Sequence, residues 1–119
     1  MSILFHLRHH LHPLMKELSI SLRKRGHNIK ANLKGRLVSL AALRLNAELQ
    51  SQIDPWDRLI LDLTKVTDID TTGVNAILHT NMKCTYKNAS MVVRCQKNEG
   101  VQGILRLTKA DEHLELEVV

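Results

Sequence analysis

DRLILDLTKVTDIDTTGVNAIL, residues 57–78, is the stretch of sequence that decides the fold. Its first part, Arg58–Leu63, is a nearly unbroken apolar run, which is typical of a central strand buried on both faces of a sheet. A connection over residues 64–69 leads to Asp70-Thr-Thr-Gly73. Apolar residues at helical spacing then predict a helix, namely Val74, Ile77, Leu78 and Met82. A strand joined closely to a helix predicts an α/β architecture.

The residues before this segment have the pattern of a β-hairpin. Apolar and polar side chains alternate over residues 18–25 and again over residues 29–33. Between them, Gly26-His27-Asn28 supplies the residue types that favour a turn. The period of two predicts two strands that bury one face.

Further elements lie on both sides of the central segment. Ser39 is predicted to cap a helix that buries Ala42, Leu45, Leu49 and Ile53. This helix is expected to end at Asp54-Pro55, because a residue before proline is pushed out of the helical region. The remaining predicted elements are a strand at Met91–Val93, a helix after Asn98 and a strand over Leu114–Val118.

The resulting order of elements is β-β-α-β-α-β-α-β. Strands that alternate with helices predict a mixed sheet of about five strands, with parallel pairs and helices packed against it. The strand residues expected to be buried are Leu59, Leu61, Leu63 and Val92.

Size and composition indicate one globular domain. The chain has 119 residues, of which 44% are apolar and only 3% aromatic, so the core is expected to be aliphatic. Few aromatic residues also argue against platforms that stack nucleic-acid bases. Cys84 and Cys95 fit no metal or redox spacing, and no apolar run approaches the length of a membrane span. We therefore expect a cytoplasmic protein without a transmembrane segment.

Positive charge is concentrated in the first third of the chain. The formal net charge is +5, and residues 1–37 contain eight basic residues and one acidic residue. Such a face can attract nucleic acid, anionic lipid or an acidic protein, but a solvated strand face is the favoured interpretation. Arg23, Lys24, Arg25 and Lys30 are therefore predicted to be exposed without forming a specific nucleic-acid site. The histidines at positions 6, 9, 10 and 12 lack ordered ligand spacing, and no metal site is expected.

Three motifs together resemble the STAS domain family. They are Asp62 in an apolar strand followed by Asp70-Thr71-Thr72-Gly73 at a turn, Gly35-Arg36-Leu37 at the end of the second strand, and Leu105–Thr108 followed by Asp111. The resemblance covers residues 18–119 and implies an α/β STAS domain. Residues 1–17 lie outside it and are interpreted as an N-terminal extension or an extra edge element.

Within that family, the sequence is most similar to the bacterial anti-sigma-factor antagonists. The resemblance implies that the unmodified protein binds a serine/threonine kinase-type anti-sigma factor, and that phosphorylation of the hydroxyl residue after the aspartate blocks this binding. The matching residue is Thr71, with Thr72 as the alternative. The partner-binding residues implied are Asp70, Thr71, Thr72, Gly73, Val38 and Ser39.

The residues themselves leave other interpretations open. Asp70-Thr-Thr-Gly can simply cap a helix, since a helix start leaves backbone N–H groups unpaired. Asp62 is either a carboxylate that faces a partner or one that binds backbone N–H groups of the next loop.

Alternative functions come from other members of the family. They are an accessory subunit of a lipid or anion transport system, which binds a transporter subunit, and a sensor of a small ligand or nucleotide. The sequence contains no phosphate-binding loop, dinucleotide fingerprint, nucleophile elbow or paired catalytic carboxylates. We therefore predict no catalytic residues, no cofactor and no enzymatic activity.

Overall fold

The structure is a computed structural model that describes residues 18–50 and 56–119. The predicted N-terminal extension, its four histidines and the predicted helix end at residues 53–55 lie outside the described residues. In chain order, the described elements are β1 (Leu18–Arg25), β2 (Asn28–Leu37), α1 (Ser39–Gln50), β3 (Arg58–Ile69), α2 (Thr71–Tyr86), β4 (Ser90–Cys95), α3 (Val101–Leu107), a 3₁₀ turn (Ala110–His113) and β5 (Glu115–Val118). This order confirms the predicted one.

The five strands form one mixed sheet in the order β1-β2-β3-β4-β5. β1 and β2 form the predicted antiparallel hairpin, and the other neighbouring strands are parallel. Pairing of β2 with β3 places Leu37 beside Ile69, the last residues of the two strands. Because α1 and α2 begin within two residues of these strand ends, both helices start at the same edge of the sheet.

One face of the sheet forms the core with the helices. Leu59, Leu61 and Leu63 lie on this face and are at most 1% exposed, as predicted. Val92 is also buried as predicted, at 3% exposure, but it pairs with Ile60 and therefore lies on the opposite face. However, Ile60 and Asp62 on the opposite face of β3 are only partly buried. The prediction that β3 is buried on both faces is therefore wrong, because the described helices join a single core cluster on one face.

β3 is longer than predicted. The expected connection over residues 64–69 continues the strand and stays paired with β2 through two shifts in register. The second shift follows Gly35, whose φ of 110° is a conformation that glycine tolerates. Val66 points into the core at 8% exposure. As a result, β3 leads directly into the turn at Asp70.

The inner face of α2 also differs from the prediction at one position. Val74 and Ile77 are buried, but Met82 is 71% exposed. The buried stripe continues from Ile77 to Thr80 and Cys84, because residues three and seven positions further on lie on the same helix face. Met82 therefore lies on the solvent side of the helix.

Candidate functional site

Asp70 organises the turn between β3 and α2. It is the N-cap residue of α2, with the extended backbone that this position requires. Its Oδ1 accepts hydrogen bonds from the backbone N–H of Gly73, at 3.0 Å, and from the hydroxyl of Thr72. Its Oδ2 accepts a third bond, at 3.2 Å, from the backbone N–H of Ser39. One carboxylate thus holds the starts of both helices.

Thr72 takes part in the same connection. Its Oγ1 donates to Asp70 and accepts the backbone N–H of Ser39 at 2.7 Å. Ser39 is the first residue of α1 and has a positive φ of 47°, which is uncommon for a residue other than glycine. Thr72 and Asp70 therefore join two helix starts that are more than thirty residues apart in the sequence.

Thr71 differs from Thr72 in its surroundings. It is the first residue of α2 and is exposed. Its hydroxyl makes no hydrogen bond to any residue in the described part of the chain, whereas both hydrogen-bonding functions of the Thr72 hydroxyl are occupied. Of the two threonine side chains, only that of Thr72 supplies hydrogen bonds that hold the turn within the described residues.

Gly73 and Val38 lie behind this surface. A Cβ added to Gly73 would overlap the carbonyl oxygen of Leu37 and would lie 2.8 Å from Cγ1 of Ile69. Gly73 therefore lets α2 pack against the end of β2. Val38 is only 8% exposed. The exposed members of the predicted partner-binding set are Ser39, Thr71 and Thr72, with Asp70 partly exposed.

The charge of Asp70 follows from its hydrogen bonds. Partial burial is the largest single influence and raises the pKa of this carboxyl. The bonds donated by the Thr72 hydroxyl and by the backbone N–H groups of Gly73, Ser39 and Thr72 outweigh that influence together. The pKa of Asp70 is consequently lowered, and the carboxylate is ionised at neutral pH.

Asp62 lies on the face of the sheet opposite the helices. Its Oδ1 accepts bonds from the backbone N–H of Thr64, at 2.9 Å, and from the Thr64 hydroxyl, at 2.6 Å. Its Oδ2 is 3.7 Å from Lys30 and 3.9 Å from Arg94, and Arg94 also pairs with Glu117 at 2.9 Å. These ion pairs link four neighbouring strands. The backbone N–H that Asp62 binds belongs to Thr64 in the same strand and not to the next loop, as one interpretation of the sequence had it.

The ionisation of Asp62 results from opposing influences. Burial, the largest, raises its pKa, while the two hydrogen bonds from Thr64 and the charges of Lys30 and Arg94 lower it. The net effect is a lowered pKa. Sequence reasoning missed this ion-pair network, because its members become neighbours only through the register of the sheet.

The remaining predicted residues occupy structural or exposed positions. Cys84 and Cys95 are buried, and burial raises the pKa of both thiols. Arg23, Lys24 and Arg25 are exposed as predicted, whereas Lys30 is only partly exposed because it lies beside Asp62 on the sheet. Among the residues that the structure describes, no group of three or more His, Cys, Asp or Glu side chains is arranged to hold a metal ion. None of the described helices has the length and apolarity needed to cross a membrane.

The fold and the capped turn define a class of protein, namely small α/β domains with the fold of anti-sigma factor antagonists. An anti-sigma factor antagonist from Mycobacterium paratuberculosis has a similar structure, with a TM-score of 0.74, 16% sequence identity and coverage of 83% of this chain and 84% of that one. The anti-sigma factor antagonist SpoIIAA in its unphosphorylated form is similar with a TM-score of 0.72, 12% identity and coverage of 85% and 88%.

The sequence itself identifies the family. Residues 19–118 match the STAS domain. No curated protein shows significant sequence similarity to the chain. The chain belongs to the STAS family, and the resemblance inferred from the three sequence motifs is confirmed.

Proposed function

We propose that this protein is a regulatory protein-binding module that acts as an anti-sigma-factor antagonist, without catalytic activity of its own, and is switched by phosphorylation of Thr71. The partner is a serine/threonine kinase-type anti-sigma factor. The observation that carries the proposal is the contrast between the two threonines. Thr71 is exposed and its hydroxyl bonds to none of the described residues, while Thr72 and Asp70 hold the turn together.

A phosphate on Thr71 acts on the partner more than on the fold. It adds roughly one and a half to two negative charges at neutral pH. At the first residue of α2, these charges interact favourably with the positive end of the helix dipole. The added charge and volume would, however, lie within the surface that the partner contacts. Binding is therefore lost while the domain stays folded.

The test compares substitutions of Thr71 with a charge control on the same helix. Thr71→Glu should weaken affinity for the purified kinase-type anti-sigma factor by about tenfold or more, equivalent to about 1.4 kcal/mol. Thr71→Ala should bind like the unmodified protein and should not be phosphorylated. Thr85→Glu adds the same charge to an exposed threonine at the far end of α2 and should leave affinity unchanged.

Stability and phosphosite mapping complete the test. Both Thr71 variants should lie within about 0.5 kcal/mol of the parent protein in unfolding free energy, because no hydrogen bond is lost. Mass spectrometry after incubation with the kinase and ATP should place the phosphate on Thr71. Equal affinity of Thr71→Glu and the parent protein, or phosphate on Thr72, would refute the switch. Specific binding to a transporter subunit instead of the kinase would favour the accessory-subunit alternative.

A further inference from the structure

The outer face of the sheet, which is the face opposite the helices, is strongly basic on β1, β2 and β3. Ile29, Ala31 and Leu33 of β2 point into the core, so the residues between them and their partners on the neighbouring strands lie on the outer face. There, the three strands carry seven basic and two acidic side chains. Five of the basic side chains are exposed and form no ion pair with any described residue, and we call them the basic face: Arg23, Arg25, Lys34, Arg58 and Lys65.

The two acidic side chains do not neutralise the basic face. Asp62 lies within 4 Å of Lys30 and Arg94, at 3.7 and 3.9 Å. Asp68 pairs with Arg36 at 3.2 Å. Both carboxylates are therefore occupied by basic residues outside the basic face, and its positive charge is left to the solvent side of the sheet.

Strand pairing also sets positive charges against one another. Arg23 lies opposite Lys30 in the hairpin, and Lys34 lies beside Lys65 of β3. Like charges placed opposite each other destabilise a sheet, so an anion bound over them would stabilise it. The sequence alone favoured a solvated strand face, but it could not show that Arg58 and Lys65, far along the chain, join the same face as the first two strands.

The composition of this face indicates which kind of anion it fits. β1, β2 and β3 contain no aromatic residue, and Ile60 is the one apolar side chain on their outer face. A protein interface is built around an apolar and aromatic centre, and a surface for single-stranded nucleic acid needs aromatic side chains for stacking. β2 and β3 are interior strands of a sheet about 19 Å wide, which is too broad for the DNA major groove of about 12 Å. An anionic lipid surface requires only basic side chains presented together.

We propose that the basic face binds the surface of a membrane that contains anionic lipid, with the sheet against the headgroups and the helices towards the solvent. Each basic side chain near such a surface strengthens binding by about fivefold, which is equivalent to about 1 kcal/mol. The inference goes beyond the proposed function and does not depend on it. Thr71 lies on α2, in the helix layer, and so stays accessible to a kinase in this orientation.

Sedimentation of the purified chain with lipid vesicles tests the proposal. The protein should bind vesicles of equal parts phosphatidylglycerol and phosphatidylcholine, and should not bind vesicles of phosphatidylcholine alone. Lys34→Gln combined with Arg58→Gln should weaken binding about 25-fold. The matched control is Lys83→Gln combined with Arg106→Gln, which removes one lysine and one arginine from α2 and α3 and gives the same net charge. It should bind within about twofold of the parent protein, because charges in the helix layer are screened from the membrane.

A polarity-sensitive dye reports the orientation of the bound protein. Attached to Ser21→Cys, on the outer face of β1, the dye should change its emission when phosphatidylglycerol vesicles are added. Attached to Met82→Cys, on the solvent side of α2, it should not. Equal losses of affinity in the two double variants, or a larger response at position 82 than at position 21, would overturn the proposal. Binding to a DNA duplex without binding to the vesicles would assign the basic face to nucleic acid and would overturn it as well.

Discussion

Two glycines in helices should respond to alanine with opposite signs. Gly73 lies in the first turn of α2, where an added Cβ would overlap the Leu37 carbonyl oxygen and approach Cγ1 of Ile69 to 2.8 Å. Gly103 lies in α3, where the nearest atoms to an added Cβ are 3.7 and 4.0 Å away in the Glu99 side chain. A methyl group therefore fits at Gly103 but not at Gly73.

The magnitudes follow from these contacts. Alanine in place of a helical glycine stabilises by about 0.5–1 kcal/mol when space allows, which is the expectation for Gly103→Ala. At Gly73 the same gain is opposed by overpacking, which costs about 1–3 kcal/mol. The clashing atom belongs to the backbone and cannot rotate away, so the upper end of that range applies. Gly73→Ala should therefore destabilise by about 2 kcal/mol, and the two variants should differ by about 3 kcal/mol.

Urea unfolding followed by circular dichroism measures this difference. In both variants the slope of unfolding free energy against urea concentration should equal that of the parent protein. Only the midpoints should move, upward for Gly103→Ala and downward for Gly73→Ala. A Gly73→Ala protein as stable as the parent would show that α2 does not pack closely against the end of β2. The reasoning about the turn would then be refuted.

Three further predictions concern the carboxylates and the thiols. Asp70→Ala should cost about 1–2 kcal/mol through loss of the cap, while Asp70→Asn, which keeps an acceptor oxygen, should cost less at pH 7. Because the pKa of Asp70 is lowered on folding, its stabilising effect is complete above the ordinary value of 3.8 and is lost as the pH falls through the folded-state value. The parent protein should thus lose unfolding free energy below about pH 4, and Asp70→Asn should lose less, as measured by urea unfolding at several pH values. Equal losses of unfolding free energy in the two proteins would contradict this role of Asp70. Asp62→Asn removes the ion pairs and should lower the unfolding free energy by about 1 kcal/mol at low salt and by less near 1 M salt. A loss that does not depend on salt would argue against the ion-pair network. Cys84 and Cys95 should resist a thiol reagent in the native state and react in urea, whereas rapid labelling without denaturant would show that either thiol is accessible.

The sequence predicted the sheet well where apolar residues set a period. Leu59, Leu61 and Leu63 gave a strong strand signal, and the hairpin followed from alternation around a turn. Residues 64–69 gave no such signal, since four of the six are polar, and only their pairing with β2 makes them a strand. The partial burial of the outer face of β3 was also beyond prediction, because the position of the helices is a tertiary property.

The candidate turn was predicted in outline but not in detail. A carboxylate before a helix start is a local signal, and Asp70 is the N-cap residue of α2. The different roles of Thr71 and Thr72 depend on the backbone N–H of Ser39, more than thirty residues earlier in the chain. No local pattern distinguishes these adjacent threonines, so only the tertiary structure separates an available hydroxyl from an occupied one.

The bond between Ser39 and Thr72 also makes a single amide proton a reporter of the whole turn. Ser39 lies on the surface, yet both acceptors of its N–H belong to the segment that starts α2. Exchange of this proton with solvent requires the two helix starts to separate, so its protection measures the free energy of that local opening. Amide exchange at Ser39 can therefore follow the integrity of the turn in the free protein, in the phosphorylated protein and in a complex, independently of any binding assay.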